Sequence, residues 1–483
     1  MSGAGHYDSL RPLIPGIYLP SVLFSVGMGA MTPMVAVSAV ALGGSPAAAA
    51  LLVSMVPIGQ ILGDLPAGAV TARLGDRGAM VLAVALAMTA LAACALAPSV
   101  PLLAVAVLLV GVAKSVYGLA RQTYLTDVVA PMRRARAMSA MGGSGRIGLF
   151  LGPFAGALLV HGRQEPDPSY WLAVAMALTS GVVMWFLLPA RPSETRATER
   201  RPTGDGTSGY EAASDETSPR EATPDGEARS EAAPREAAPR EAAPREAAPK
   251  PVRAGARGSL RRRTRTHSPS PQATLADPST WQILRDYRAV FATLGVAIVL
   301  VGAVRGVRQT VLPLWTEHLG FDPAVTSLVF GIAGAVDMAL FYPTGKIMDR
   351  FGRLWVAVPS MVIMTIGLAL LPWTHSLGAV VVIALVLGVG NGLGSGVLMT
   401  LGADTAPEAG RSRYLGVCRM CGDAGMALGP LGVSLGAALG SLAAGISAMA
   451  AVGAASVAAL GRWVPRWSWH ANATTRRRRG LIT

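Results

Sequence analysis

The stretch GKIMDRFGR, residues 345–353, sets a lysine, an aspartate and two arginines around two glycines. Long apolar runs flank it on both sides. A weaker copy, GAVTARLGD, occupies residues 68–76. Short charged turns between long apolar runs are what loops between bilayer-crossing helices look like.

The rest of the chain reads the same way. Of its 483 residues 52% are hydrophobic and 14% charged, and the mean hydropathy is +0.45. A soluble domain carries about a quarter charged residues. Fifty-six glycines suit membrane helices that pack backbone to backbone. A span takes about 20 mostly apolar residues. Twelve such runs are readable, near 14–40, 47–72, 78–97, 101–126, 136–161, 170–190, 289–314, 323–345, 354–373, 377–403, 414–438 and 441–463. Turn-formers separate them, as in GGSP from Gly43, APSVP from Ala97 and GFDP from Gly320. The first run has no clear cleavage site and reads as a retained span.

The formal charge of +14 has a plain cause. Arg73 and Arg77, then Arg133, Arg134 and Arg136, then Lys346, Arg350 and Arg353, then Arg411 and Arg413, all fall in loops on one side. The tail adds RRRR from Arg476, and Arg163 is the exception on the other side. The positive-inside rule then puts both termini in the cytoplasm. The charge is a topology signal, and no nucleic-acid partner is expected. Cys418 and Cys421 form C-x-x-C inside an apolar helix, with no second pair and no nearby His, and Cys94 stands alone. No metal site is expected there.

Gly345 follows Gly68 by 277 positions, and the same offset matches many other landmarks. It carries Pro46 onto Pro323, Arg73 onto Arg350, Gly75 onto Gly352 and Gly111 onto Gly388. It also carries Asp127 onto Asp404, Arg134 and Arg136 onto Arg411 and Arg413, and Gly145 onto Gly422. Two parallel six-span halves are implied.

On these residues the chain resembles the major facilitator superfamily. GKIMDRFGR is similar to that family's loop signature, G-x-L-x-D-R-x-G-R, between the second and third helices of each half. Gly345, Asp349, Arg350, Gly352 and Arg353 match it. In the first half Gly68, Arg73 and Gly75 match, but Ala72 replaces the acid and Asp76 a basic residue. The resemblance implies an all-α membrane fold of twelve helices in two parallel halves, with a substrate site between them. It also implies that these loops gate the cytoplasmic face, chiefly through the second half. Asp349 is then expected near the N-terminal end of the helix starting near Arg136. The alternative is a loop that only fixes topology.

A second signature lies in the fifth span, at Gly148, Gly152, Pro153 and Gly156, with Gly425, Gly429 and Pro430 repeating it in the eleventh. It resembles the motif of the family's proton-coupled antiporters, mainly drug exporters. Physically, the glycines allow close helix contact and the prolines a bend.

Ionisable groups at bilayer depth cost at least about 2.5 kcal/mol each and are functional candidates. Asp64, Asp337 and Asp423 are the candidate proton-coupling acids. Lys114, Arg305 and Arg308, with Tyr117 and Asn391, are candidates for the substrate cavity. KSVYG from Lys114 resembles the family's fourth-helix motif R-x-x-Q-G. In the family, helices two and eleven, and five and eight, face each other across the halves. The resemblance thus implies that Arg146 approaches Asp337, and Asp64 approaches Asp423, where two close carboxylates share a proton. Static ion pairs, and an Arg308 that reaches for the interface, are the alternatives.

The organisation expected is a first half at 1–190, a linker at 191–288, a second half at 289–465 and a basic tail at 466–483. The linker carries REAAPREAAPREAAP from Arg235, where recurring proline stops helix propagation. Its composition reads as disordered. Lys250 to Arg265 is a basic stretch without acids. STWQILRDYRAVF from Ser279 reads as a short interfacial helix.

The function expected is a proton-driven exporter of small, partly apolar molecules, a drug or secondary metabolite, in a bacterial plasma membrane. The alternative is an uptake symporter for a metabolite or organic anion. The first span carries no acid, unlike some drug exporters. No Ser/His/Asp set, H-E-x-x-H or G-x4-G-K-[ST] occurs, which argues against an enzyme or direct ATP drive. The expected partners are the bilayer, a small molecule and protons, with no cofactor and a monomeric state.

Overall fold

A computed structural model describes residues 13–129, 134–162, 165–188, 279–394, 396–407, 410–468 and 470–478. Most of the linker, with its basic stretch 250–265, lies outside them, as do Arg133, Arg163 and Arg479.

The long helices of the first half are α1 (Ile14–Ala41), α2 (46–74), α3 (76–95), α4 (Val100–Val128), α5 (Arg134–Val160) and α6 (Asp167–Leu187). Those of the second are α7 (Arg288–His318), α8 (Pro323–Phe351), α9 (Leu354–Leu370), α10 (Leu377–Thr405), α11 (Arg411–Leu439) and α12 (Leu442–Trp467). Eleven stretches among the described residues are long and apolar enough to cross a membrane. The helix left out, α11, has 29 residues, but Arg411, Arg413, Arg419 and Asp423 dilute its apolar sequence. Large apolar side chains cover the outside, among them Leu158, Phe186 and Leu439, each more than three-quarters exposed. Such a surface suits lipid, where packing and internal hydrogen bonds hold helices together.

Local chemistry sets the helix ends. Ser45 accepts from Ala48 N at the start of α2, and Pro46 follows where its missing N–H does no harm. Ser376 and Ser441 cap α10 and α12 in the same way. Before α7, Ser279 and Gln282 form a reciprocal capping box on the short helix Thr280–Asp286.

The 277-residue offset recurs in three dimensions, down to individual backbone atoms. Gly43 and its mate Gly320 both have positive φ, at 79° and 75°. So do Gly75 and Gly352, which turn α2 into α3 and α8 into α9. Gly148 lies against Val22 O and Val26 N of α1; its mate Gly425 lies against Val299 O and Ala303 N of α7. Gly152 meets Val26 O and Ala30 N, and Gly429 meets Ala303 O and Val307 N. Every one of these partners is also displaced by 277. The same register appears from the other side, where Gly29 meets Leu149 O and Gly306 meets Met426 O. The helix pairs repeat accordingly: α1 packs on α5 and α6, as α7 packs on α11 and α12. Side chains bind the halves internally, with Ser38 sharing a 2.9 Å hydrogen bond with Tyr170 OH and Ser180 donating to Pro20 O. Between halves, α2 packs on α11 and α5 on α8. Ser434 Oγ donates to Ala47 O at the end where α2 begins, joining the halves there.

The two glycines of the opening stretch have different roles. Gly352 is needed for its backbone, with φ of 106°. Gly345 and Gly68 are not close-packed: a Cβ at either would meet nothing within 4 Å. The loop is tied instead to the chain after α12. Arg353 N donates to His470 O and Leu354 N to Ala471 O, so that segment caps the start of α9. Arg353 also reaches Asp404 at 3.2 Å, and Ser468 Oγ donates to the same carboxylate at 2.7 Å. The repeat equivalents of Arg353 and Asp404 are Asp76 and Asp127, two acids, so the first half cannot form this pair. Gly352→Ala is expected to cost about 1–3 kcal/mol, since its Cβ would lie 2.6 Å from Ala471 O. Thermal melts and protease cleavage after Trp467 measure this, with Gly345→Ala as a near-neutral comparison.

Candidate functional site

The charged centre is assembled at α8, where α10 and α5 both come close. Gly388 lets α10 rest on Ala333 of α8, and Gly392 rests against the Asp337 backbone. That contact brings Asn391 Nδ2 to 2.5 Å from Asp337 Oδ2. From α5, Arg146 Nη1 lies 3.2 Å from Asp337 Oδ1, with its guanidinium 4.4 Å from the Phe341 ring centroid. From α7, Arg308 Nη2 lies 3.5 Å from Asp337 Oδ2 and stacks near Phe330. Asp337 therefore meets one cation from each half of the chain. Arg308 is buried at this acid and does not reach for an interface.

Next to this acid α10 breaks, and Gly396 there has φ of 81°. A broken helix leaves carbonyls without partners, which apolar surroundings cannot tolerate. Here three helices supply the donors. Ser360 Oγ donates to Gly390 O at 2.7 Å, Arg305 Nη2 to Asn391 O at 3.2 Å, and Thr344 Oγ1 to Gly392 O at 3.4 Å. Arg305 is thus drawn to the same centre. Two buried donors, Arg305 Nε and Arg308 Nη1, have no hydrogen-bond partner among the described residues. Sequence reasoning missed Ser360, Thr344 and Phe341. Only the glycine-rich run GVGNGLGSG, residues 388–396, signals a break in α10.

A second group lies at the α2–α11 contact. Asp64 accepts a hydrogen bond from Ser115 Oγ of α4. Asp423 pairs with Arg419 one turn earlier, at 3.5 Å. The two acids do not hydrogen-bond to each other. Arg419, absent from the sequence-level candidates, is the residue that takes Asp423. Lys114 interacts electrostatically with Asp423 and Arg419. Tyr117 is buried, stacked on Phe24 at 4.5 Å, with the Arg121 guanidinium 5.4 Å from its ring centroid. Asp423 is the repeat equivalent of Arg146, and Asn391 of Lys114. The two groups therefore share one repeat position at which the charge is opposite, Arg146 in one and Asp423 in the other.

At the loop, Asp349 pairs with Arg353 at 3.3 Å while remaining largely exposed. Both stated acid partners of Arg353, Asp349 and Asp404, belong to its own half. The α5 side chains at 134–136, toward which Asp349 was expected to point, lie outside the described set. An apolar groove of about 260 Å³ lies between α3 and α6, lined by Val84, Met88, Leu178 and Phe186 among others. It has no charged lining and stands apart from both groups.

Two parallel six-helix repeats of membrane-crossing length, meeting around charged groups, describe a multi-pass membrane protein. Residues 19–430 match the sequence model of the Major Facilitator Superfamily, and the chain belongs to that family, whose members transport and are not enzymes. A 135-residue stretch is 30% identical to Myo-inositol transporter 2 of Cryptococcus neoformans var. grubii, covering 27% of this chain. That match spans about a quarter, 24%, of the fungal protein's length. Among solved structures, the fold is similar to the human organic anion transporter MFSD10 (TETRAN), with TM-score 0.56 and 15% identity over 94% of this chain and 100% of that one. It is similar to a D-xylose-proton symporter, with TM-score 0.61 and 14% identity over 94% and 96%. It is also similar to the nucleoside transporter NupG, with TM-score 0.61 and 12% identity over 92% and 96%.

Proposed function

We propose that the chain moves small molecules by alternating access and couples that movement to protons through Asp337. The observation that carries this reading is the position of Asp337 between Arg146 of the first half and Arg308 of the second. Rocking of the halves must rearrange this cluster. A proton on Asp337 removes the charge that holds Arg146, so protonation and rocking are linked. The loops at Gly68 and Gly345 then act at the end away from the Ser434–Ala47 contact.

Two directions fit this scheme. The glycine–proline signature of α5 supports antiport, with export of small, partly apolar molecules from a bacterial cell whose cytoplasm holds both termini. The surplus of cations around Asp337 supports symport of a metabolite or organic anion. The substrates for which similar proteins are named, D-xylose with protons, nucleosides and organic anions, are all small molecules.

Purified protein in liposomes with an imposed pH gradient separates these directions. Ethidium, uridine, D-xylose and benzoate serve as probes, and an entrapped dye reports internal pH. The gradient is expected to drive at least one probe uphill with accompanying proton movement. Opposite directions of the two mean antiport and a shared direction means symport. Flux of every probe indifferent to the gradient contradicts proton coupling.

A further inference from the structure

The centre at Asp337 is unbalanced. Arg146 from α5 and Arg305 and Arg308 from α7 gather around one acid. The other helices packed on α8 do not restore the balance. No charged residue occurs in α1 or in α9, and the one acid of α10, Asp404, is held by Arg353 and Ser468 at the helix end. The imbalance is matched by two donors without a hydrogen-bond partner among the described residues, Arg305 Nε and Arg308 Nη1. An unsatisfied buried donor is costly, more so when charged. Arginines that served only to anchor Asp337 would not need to outnumber it, nor to keep free N–H groups.

We propose that the substrate is a small organic monoanion whose carboxylate takes Arg308 and Arg146 from Asp337 as Asp337 accepts a proton. This inference rests on Asp337 being the proton-coupling acid proposed above. The donor geometry suits a carboxylate, because a guanidinium presents paired N–H groups to two oxygens. Charge fixes the valence. When a substrate carboxylate replaces the Asp337 carboxylate and the latter takes up a proton from water, the total charge of the centre does not change. A neutral molecule would leave the protonated centre one charge more positive, in an environment where uncompensated charge is costly. A cation would add to an existing surplus. The sign of coupling follows by linkage: the proton and the anion each favour the binding of the other. They load together and therefore move in the same direction.

The test uses the purified full-length protein and binding, so it needs no knowledge of the natural substrate. Acetate, lactate, benzoate and gluconate are titrated against thermal stability, beside acetamide, lactamide, benzamide and ethidium. At least one carboxylate is expected to stabilise the protein while its amide does not. Its apparent affinity should rise about tenfold for each unit fall in pH while Asp337 is mainly ionised. In Asp337→Asn the affinity should no longer vary with pH, and in Arg308→Gln it should fall at least about tenfold, the guanidinium that the carboxylate takes over being lost. The wild-type pH series stands even if a variant fails to fold. Stabilisation by the amides or by ethidium instead, by no carboxylate, or without acid dependence overturns the inference. Proton-driven transport of a neutral or cationic probe, with no carboxylate binding, removes the anion and leaves the coupling role of Asp337. Carboxylate binding that keeps its acid dependence in Asp337→Asn removes Asp337.

Discussion

Asp337→Asn is expected to reduce pH-gradient-driven accumulation to background, a loss of at least about a hundredfold, while exchange of substrate across the membrane without a gradient persists. The side chains have nearly the same shape, so packing against Gly392 is kept. What changes is titration: an amide neither carries a charge nor releases a proton at any working pH. The first half then has no reason to prefer one protonation state, and the gradient loses its grip. The variant also leaves Arg146, Arg305 and Arg308 without their acid. Removing one partner of a buried pair costs about 3–5 kcal/mol, so the melting temperature in anion-free buffer should fall. A bound carboxylate should restore part of that loss. Gradient-driven accumulation at the wild-type rate contradicts the assignment of Asp337. Proteoliposome uptake and counterflow, measured side by side, separate loss of coupling from loss of the protein.

The second large effect is structural. Gly152→Leu is expected to prevent assembly of the first half, and Gly429→Leu that of the second. A Cβ at Gly152 would lie 2.6 Å from Ala30 N and 2.7 Å from Gly29 C, and one at Gly429 would lie 3.0 Å from Val307 N. These are backbone atoms of a packed helix, so relief requires moving α5 off α1, or α11 off α7. Overpacking costs about 1–3 kcal/mol where side chains can shift, and here the obstruction is main chain. Gly118→Ala is the comparison, because a Cβ there meets nothing within 4 Å. It should be neutral or stabilising by up to about 1 kcal/mol, as alanine favours a helix. Yields of monodisperse protein and melting temperatures check the contrast. Equal behaviour of Gly152→Leu and Gly118→Ala would remove the close-contact role.

The architecture was legible because the bilayer leaves few choices. Span length, loop charge and a constant offset are all visible without side-chain contacts, and Gly75 and Gly352 mark where that offset reaches the backbone. The approach of Arg146 to Asp337 was implied by the family resemblance, and the structure sets them 3.2 Å apart. What stayed hidden depends on helix rotation and on main-chain contacts. A step of one residue turns a side chain by about 100° around the helix, so the sequence left open that Ser115 and Arg419 would take the hydrogen bonds of Asp64 and Asp423. The segment at His470 and Ala471 binds through its carbonyls, which every sequence possesses. The donors at the break in α10 were illegible for a related reason. Ser360 and Thr344 look like ordinary small polar residues until the fold sets their hydroxyls against the carbonyls of Gly390 and Gly392 beside the break.

The most direct test is a distance measured between the halves. Gly68→Cys and Gly345→Cys, with Cys94, Cys418 and Cys421 replaced, put spin labels at equivalent positions of the two repeats, each with open space around it. In lipid nanodiscs, pulsed electron resonance should show two distance populations whose weights exchange between acid and alkaline buffer. Asp337→Asn should hold the acid population at every pH. A single distance that ignores both pH and this substitution would contradict the account.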